Sequence, residues 1–214
     1  MNKDTQSDVK NLSAKRIYLG SFIGLLLCTV VWAISSPLDL LQNTSNQLIS
    51  ALQQNQATLK TKPEIVYSIV KKILLPHVDL VNMSSKALGR ETWLKATPQQ
   101  RQAFTQQFST LLVRTYASAL ARYTDEKVNF LPLRGNCDGQ MRVQVDSNIL
   151  RDSGPTINVS YRLMRINNQW KLYDFSVDGV SLIQSFRSQF SEELQQKGLD
   201  GLINELTQHN MQNG

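Results

Sequence analysis

The spacing of apolar residues changes twice along the chain, and those two changes decide the fold class. Up to about residue 123 the apolar positions recur every three or four residues. From Val128 to Val177 they alternate, and after Gly179 the helical spacing returns. Strands grouped together, with helices before and after, predict an α+β domain rather than a series of βαβ units.

The helical segments carry their own start and stop signals. Ser36-Pro37 places proline in a first turn, and Leu38, Leu41, Leu48, Ile49 and Leu52 form the stripe that follows. Lys62-Pro63 opens a second helix with Ile65, Val66, Ile69, Val70, Ile73 and Leu74 as its stripe, and Pro76 ends it. A short helix is predicted from Asp79 to Leu88, with Gly89 as its C-terminal cap. Thr97-Pro98-Gln99-Gln100 has capping-box spacing and opens a long helix predicted over 98–123. Its expected buried face is Phe104, Phe108, Leu111, Leu112 and Thr115, running on to Ala119 and Tyr123. Ala117, Ser118, Ala119 and Ala121 make its second half thin.

Four strands are predicted in the alternating region. Val128 and Phe130, with Leu133, mark the first, and Met141, Val143 and Val145 the second. Ile157, Val159, Tyr161 and Leu163 mark the third. Asn167-Asn168 is a hairpin turn, and Trp170 and Leu172, then Phe175 and Val177, mark the fourth. The C-terminal helix follows through Leu182, Ile183, Phe186, Phe190 and Leu194, stops at Gly198, and resumes with Leu199, Leu202, Ile203 and Leu206.

The N-terminus reads as an address. Ile17 to Leu38 holds no charged residue, Lys15-Arg16 precede it, and small residues lie near its end. That pattern predicts an export signal with residues 17–33 as its core and a cut after Ala33. The run is also long enough to remain as a membrane anchor, and both readings stay open. A lipoprotein is disfavoured, because Leu26-Leu27 supply no small residue before Cys28. Either way the division is 1–36 as signal or anchor and 37–214 as one exported domain.

Composition excludes several functions. The formal net charge is +6, yet beyond the export segment Lys71-Lys72 is the densest basic pair, so a nucleic-acid footprint is not expected. Cys28 falls in the export segment, which leaves Cys137 without an intrachain partner. His77 and His209 with one cysteine do not make a metal site, and no nucleophile elbow or phosphate-binding glycine loop occurs. Asp138, Asp146, Asp174 and Asp178 lie at strand ends or on one alternating face. An isomerase-like or dehydratase-like enzyme would choose Asp174 as base, but alternation places it opposite Phe175 and Val177, facing solvent. A tethered protein-interaction module with a filled core is a further reading.

Two stretches carry a family resemblance. The first is Val78-Asp79-Leu80-Val81-Asn82-Met83-Ser84-Ser85-Lys86-Ala87-Leu88-Gly89-Arg90-Glu91-Thr92-Trp93, followed by the Thr97-Pro98 helix start with Phe104 and Phe108. The second is Trp170-Lys171-Leu172-Tyr173-Asp174-Phe175-Ser176-Val177-Asp178-Gly179-Val180-Ser181-Leu182-Ile183, with Phe186 to Phe190 after it. Over about residues 38–207 the chain resembles the MlaC, or toluene-tolerance, family of periplasmic phospholipid carriers.

The resemblance implies a fold similar to the cystatin and nuclear-transport-factor type, a curved four-stranded antiparallel sheet cradled by helices. It implies no enzymatic activity and no cofactor, only bound phospholipid as cargo. The implied partners are an inner-membrane ABC transporter complex and an outer-membrane lipoprotein complex of Gram-negative bacteria. Lipid moves between them, which maintains outer-membrane lipid asymmetry. The tails would lie in an apolar pocket lined by Met83, Phe104, Phe108, Leu112, Tyr116, Val143, Val145, Val159, Tyr161, Val177 and Ile183. Head groups would stay outside, near Arg142 or Arg162. Each buried CH₂ is worth about 0.8 kcal/mol, so a sixteen-carbon tail needs on the order of 10 kcal/mol of compensation to leave a bilayer. Only a dry apolar cavity supplies that.

Overall fold

The computed structural model describes residues 36–212 except 60, 63, 122–126, 136, 138 and 152–153, and of 117–121 the helical backbone alone. The predicted export segment, the Ala119 side chain and all of Tyr123 on the long helix, and Asp138 lie outside what is described. No helix among the described residues is long and apolar enough to cross a membrane.

Helix α1, Pro37–Gln54, starts where the Ser36 hydroxyl accepts from the Asp39 N–H at 3.0 Å, and it buries Leu41, Thr44 and Leu52. One turn, α2 (Gln56–Leu59), leads to α3, Ile65–Ile73, and a 3-10 turn at Leu75–His77 holds Pro76. Helix α4 is Leu80–Leu88. The Asp79 carboxylate caps it by accepting from the Asn82 N–H, and Gly89 stops it at φ 82°. A left-handed backbone there favours glycine. Helix α5, Arg90–Lys95, follows at once and has no apolar stripe that would announce it.

Helix α6, Pro98–Ala121, opens on a formed capping box. The Thr97 hydroxyl accepts from the Gln100 N–H at 3.1 Å, and the Gln100 side chain accepts from the Thr97 N–H at 3.0 Å. Phe104, Phe108 and Leu111 are buried as expected. Thr115 is not: it is exposed, and its hydroxyl donates to the Leu111 carbonyl within the helix, so it needs no buried partner.

The sheet is antiparallel and its strands stand in sequence order: β1 (Lys127–Phe130), β2 (Arg142–Leu150), β3 (Ile157–Ile166), β4 (Gln169–Val177) and β5 (Val180–Ser181). The four predicted strands are present, and the two-residue β5 is a short addition. Asn167 and Asn168 have φ of 48° and 61°, the positive pair that a two-residue hairpin turn needs. Strand β4 holds one irregularity. Arg162 pairs with Asp174 and Leu163 with Leu172, which leaves Tyr173 as an extra residue. The bulge resets the alternation, so Leu172 and Phe175 share one face.

Helix α7, Leu182–Gln212, is broken at Gly198, whose φ of 67° is not helical. Three apolar clusters hold the domain together. One joins α4, α6 and both parts of α7; a second joins α1, α2 and α3; a third joins α1 to the sheet.

Candidate functional site

The strand register aligns side chains in rows on one sheet face. Val143, Leu163 and Leu172 form one row, and Val145, Tyr161 and Phe175 the next. Phe130, Ser147, Val159 and Val177 form the third. Five of the eleven residues expected to line a tail site therefore stand on one surface: Val143, Val145, Val159, Tyr161 and Val177. Their neighbours Phe130, Leu163, Leu172 and Phe175 belong to the same surface. Sequence reading placed all four on strands without connecting them to a site, because the rows depend on pairing register.

This face is unevenly covered. Leu163, Val145 and Ser147 are sealed, and Val159 and Leu172 nearly so. Val143, Tyr161, Phe175 and Phe130 are half-buried, and Val177 is 37% exposed. Rings border the half-open part. Phe130 and Tyr161 lie with centroids 5.8 Å apart, and Tyr116 of α6 meets Phe175 edge-on at 5.8 Å. Burial pushes the phenols of both Tyr116 and Tyr161 above their ordinary value, so both stay neutral. The polar contact within these rows joins the Ser147 and Tyr161 hydroxyls at 3.4 Å.

The other expected residues lie elsewhere. Met83, Phe104, Phe108 and Ile183 are sealed in the helical cluster, with Leu112 and Tyr116 packed at its margin. Phe104 and Phe108 stack at 5.5 Å, and Phe186 and Phe190 of α7 meet them at 5.2–5.7 Å. The structure thus brings the expected lining together as two groups, one sealed between helices and one half-open on the sheet. Tyr116 touches both.

Asp174 corrects the sequence reading. It stands opposite Phe175 and Val177, as alternation requires, but it is 5% exposed rather than facing solvent. The chain turns back after Gly179 and covers it. Asp174 accepts from the Arg162 guanidinium at 2.6 Å, the Ser181 hydroxyl at 2.8 Å and the Ile183 N–H at 3.3 Å. A carboxylate with three donors on it anchors β4 to the start of α7, and both of its oxygens are occupied. Arg162 is accordingly committed to Asp174, on the face opposite Tyr161. Arg142 is exposed at the start of β2. His77 lies in the 3-10 turn, its pKa held below 6.5 by burial and then by Lys171. Cys137 is a free thiol, and the described residues contain no group of three or more His, Cys, Asp or Glu able to hold a metal ion.

An antiparallel sheet with an apolar, half-covered face and helices around it is the architecture of a small protein that binds an apolar ligand. Known proteins narrow that class. The structure is similar to that of a phospholipid-binding protein from Ralstonia solanacearum solved in complex with a phospholipid, at TM-score 0.77 and 27% sequence identity, covering 84% of this chain and 99% of that one. The sequence is 30% identical to the toluene tolerance protein Ttg2D of Pseudomonas putida over 78% of this chain and 77% of that protein. It is 31% identical to the intermembrane phospholipid transport system binding protein MlaC of Haemophilus influenzae, over 82% of this chain and 83% of the relative. Residues 42–208 match the family model described as MlaC protein, and the chain belongs to the MlaC family.

Proposed function

We infer that this chain is a phospholipid-binding transport protein that holds acyl tails against the sheet rows. The observation that carries this reading is the half-open apolar face on a fold that a relative uses with phospholipid bound. Tails entering there would cover Val143, Tyr161, Phe175 and Val177 and meet Tyr116 and Leu112 from the helical side. Val145 and Val159 would lie beneath them as the floor. Met83, Phe104, Phe108 and Ile183 support that wall from behind. The cargo is phospholipid, with no cofactor besides, and Asp174 is engaged structurally rather than held ready as a base.

The same reading places residues 37–214 in the periplasm as one lipid-binding domain, exported by residues 1–36 or anchored through them. It gives the protein an inner-membrane transporter complex and an outer-membrane complex as partners, between which it carries lipid. Native mass spectrometry of protein purified without detergent tests the central claim. A mass addition equal to one or more phospholipids, removed by organic extraction, is expected. Folded protein that never carries lipid, even after incubation with phospholipid vesicles, would refute it.

A further inference from the structure

A second apolar surface lies away from the sheet. A groove of about 1000 Å³ runs between α3, the 3-10 turn, α4, α5 and one side of α6, and no sheet residue lines it. It mixes Tyr67, Val81 and Trp93 with three cations, Lys71, Arg101 and Arg114, and no carboxylate lines it. Val81 is 59% exposed.

The cations are arranged for an incoming anion. Arg114 lies 5.6 Å from the Tyr67 ring centre and Arg101 5.4 Å from that of Trp93, so each guanidinium is oriented by a ring. Arg101 donates to the Trp93 and Leu94 carbonyls, which ties down the end of α5. Arg114 Nη1 is buried and has no hydrogen-bond acceptor among the described residues. A buried guanidinium N–H without an acceptor is costly, and a carboxylate would remove that cost. Exposed apolar surface beside Trp, Tyr and Arg has the composition of a protein interface rather than of a solvated face. Arg101 and Arg114 stand thirteen residues apart on α6, or about 20 Å by helical rise. One phosphate cannot reach both, but a peptide segment can.

We propose that this groove docks an acidic, apolar-anchored segment of a partner protein. Its carboxylates meet Lys71 and Arg114, and its apolar side chain lies against Val81 and Trp93. The groove and the sheet rows share no residue, so the proposal stands independently of the lipid-carrying reading.

The test begins with a photo-cross-linking amino acid at Val81 in the full chain in intact cells, with the same replacement at Val180, 65% exposed, as the control. The expected result is a protein cross-link specific to position 81 that maps to a segment rich in Asp or Glu. That segment, synthesised and titrated against the full chain, should bind about tenfold or more weakly to Lys71→Glu combined with Arg114→Gln. The milder Lys71→Gln should show a smaller loss in the same direction, and circular dichroism should show all variants folded. Lipid content by native mass spectrometry should not change. No cross-link above the control, a cross-link to lipid, or a segment that binds the charge variants as well as the parent would overturn the proposal. Lost lipid with unchanged segment binding would overturn it too, making the groove a head-group site.

Discussion

Two apolar regions of this domain share a helix and are finished differently. Phe104 and Phe108 in the first half of α6 are 0% exposed and enclosed by rings from α7. Tyr116, about two turns further on, meets the sheet edge-on through Phe175 and stays half-buried. The difference lies in what faces the helix. Helix α7 supplies Phe186 and Phe190, which fill the space between two cylinders. The sheet supplies mostly valines and leucines, with Phe130, Tyr161 and Phe175 spaced among them, and these leave part of the face half-open. The lesson is that an apolar stripe announces burial but does not say whether protein or ligand completes it.

The sharpest way to break this comparison is to hollow out the sealed side. Phe108→Ala should destabilise the delipidated protein by about 3–5 kcal/mol, as removal of a fully buried ring does. A urea melt showing a loss under about 1 kcal/mol would mean that space is already loose. Next comes Val145→Trp, on the sealed floor of the sheet. It should cost about 1–3 kcal/mol by overpacking, again measured without lipid so that ligand stabilisation does not mask it. Val143→Trp, two residues away on the same face but half-buried, should change stability by no more than about 0.5 kcal/mol. It should nonetheless abolish co-purifying phospholipid in native mass spectra. Equal destabilisation at 143 and 145 would erase the distinction between floor and mouth.

The smallest effect concerns pH. Val78 packs against both the helical and the sheet clusters, and His77 precedes it. Burial first, and Lys171 second, lower the His77 pKa below 6.5 in the folded protein. The unfolded chain therefore takes up the proton first as pH falls through 6.5. Stability is complete above that value, declines below it, and levels off once the folded form is protonated. Urea melts across this range should show the decline, and His77→Gln should flatten it. An unchanged slope in that variant would assign the decline to other groups.

Local signals were legible in the residues, and long-range ones were not. The Thr97–Gln100 box, the Asn167-Asn168 turn and the Gly89 stop each depend on neighbours within four positions, and each formed as expected. Helix α5 has only six residues and no stripe, so it left no periodic trace. Asp174 was misread because its cover comes from Ser181 and Ile183, which alternation within β4 does not register. The tail-site residues were legible as apolar but not as two groups. Phe108 and Tyr116 belong to one predicted lining, and only the identity of the packing partner separates sealed from open. The three-residue step from Leu172 to Phe175 was the visible trace of the bulge.

That bulge is where β4 stores one residue more than its partner strand offers. Tyr173 is the residue the bulge absorbs, so that Trp170 and Leu172 stay in phase with Phe175 and Val177 while Asp174 and Ser176 face the other side. Replacing Tyr173 changes one side chain. Deleting it removes the bulge and leaves a strict two-residue beat, Leu172 then Asp174 then Phe175, in which every side chain keeps its side of the sheet. Variation in length should therefore be confined to the bulge, because a residue lost or gained elsewhere within β4 turns the side chains on one side of it to the wrong face.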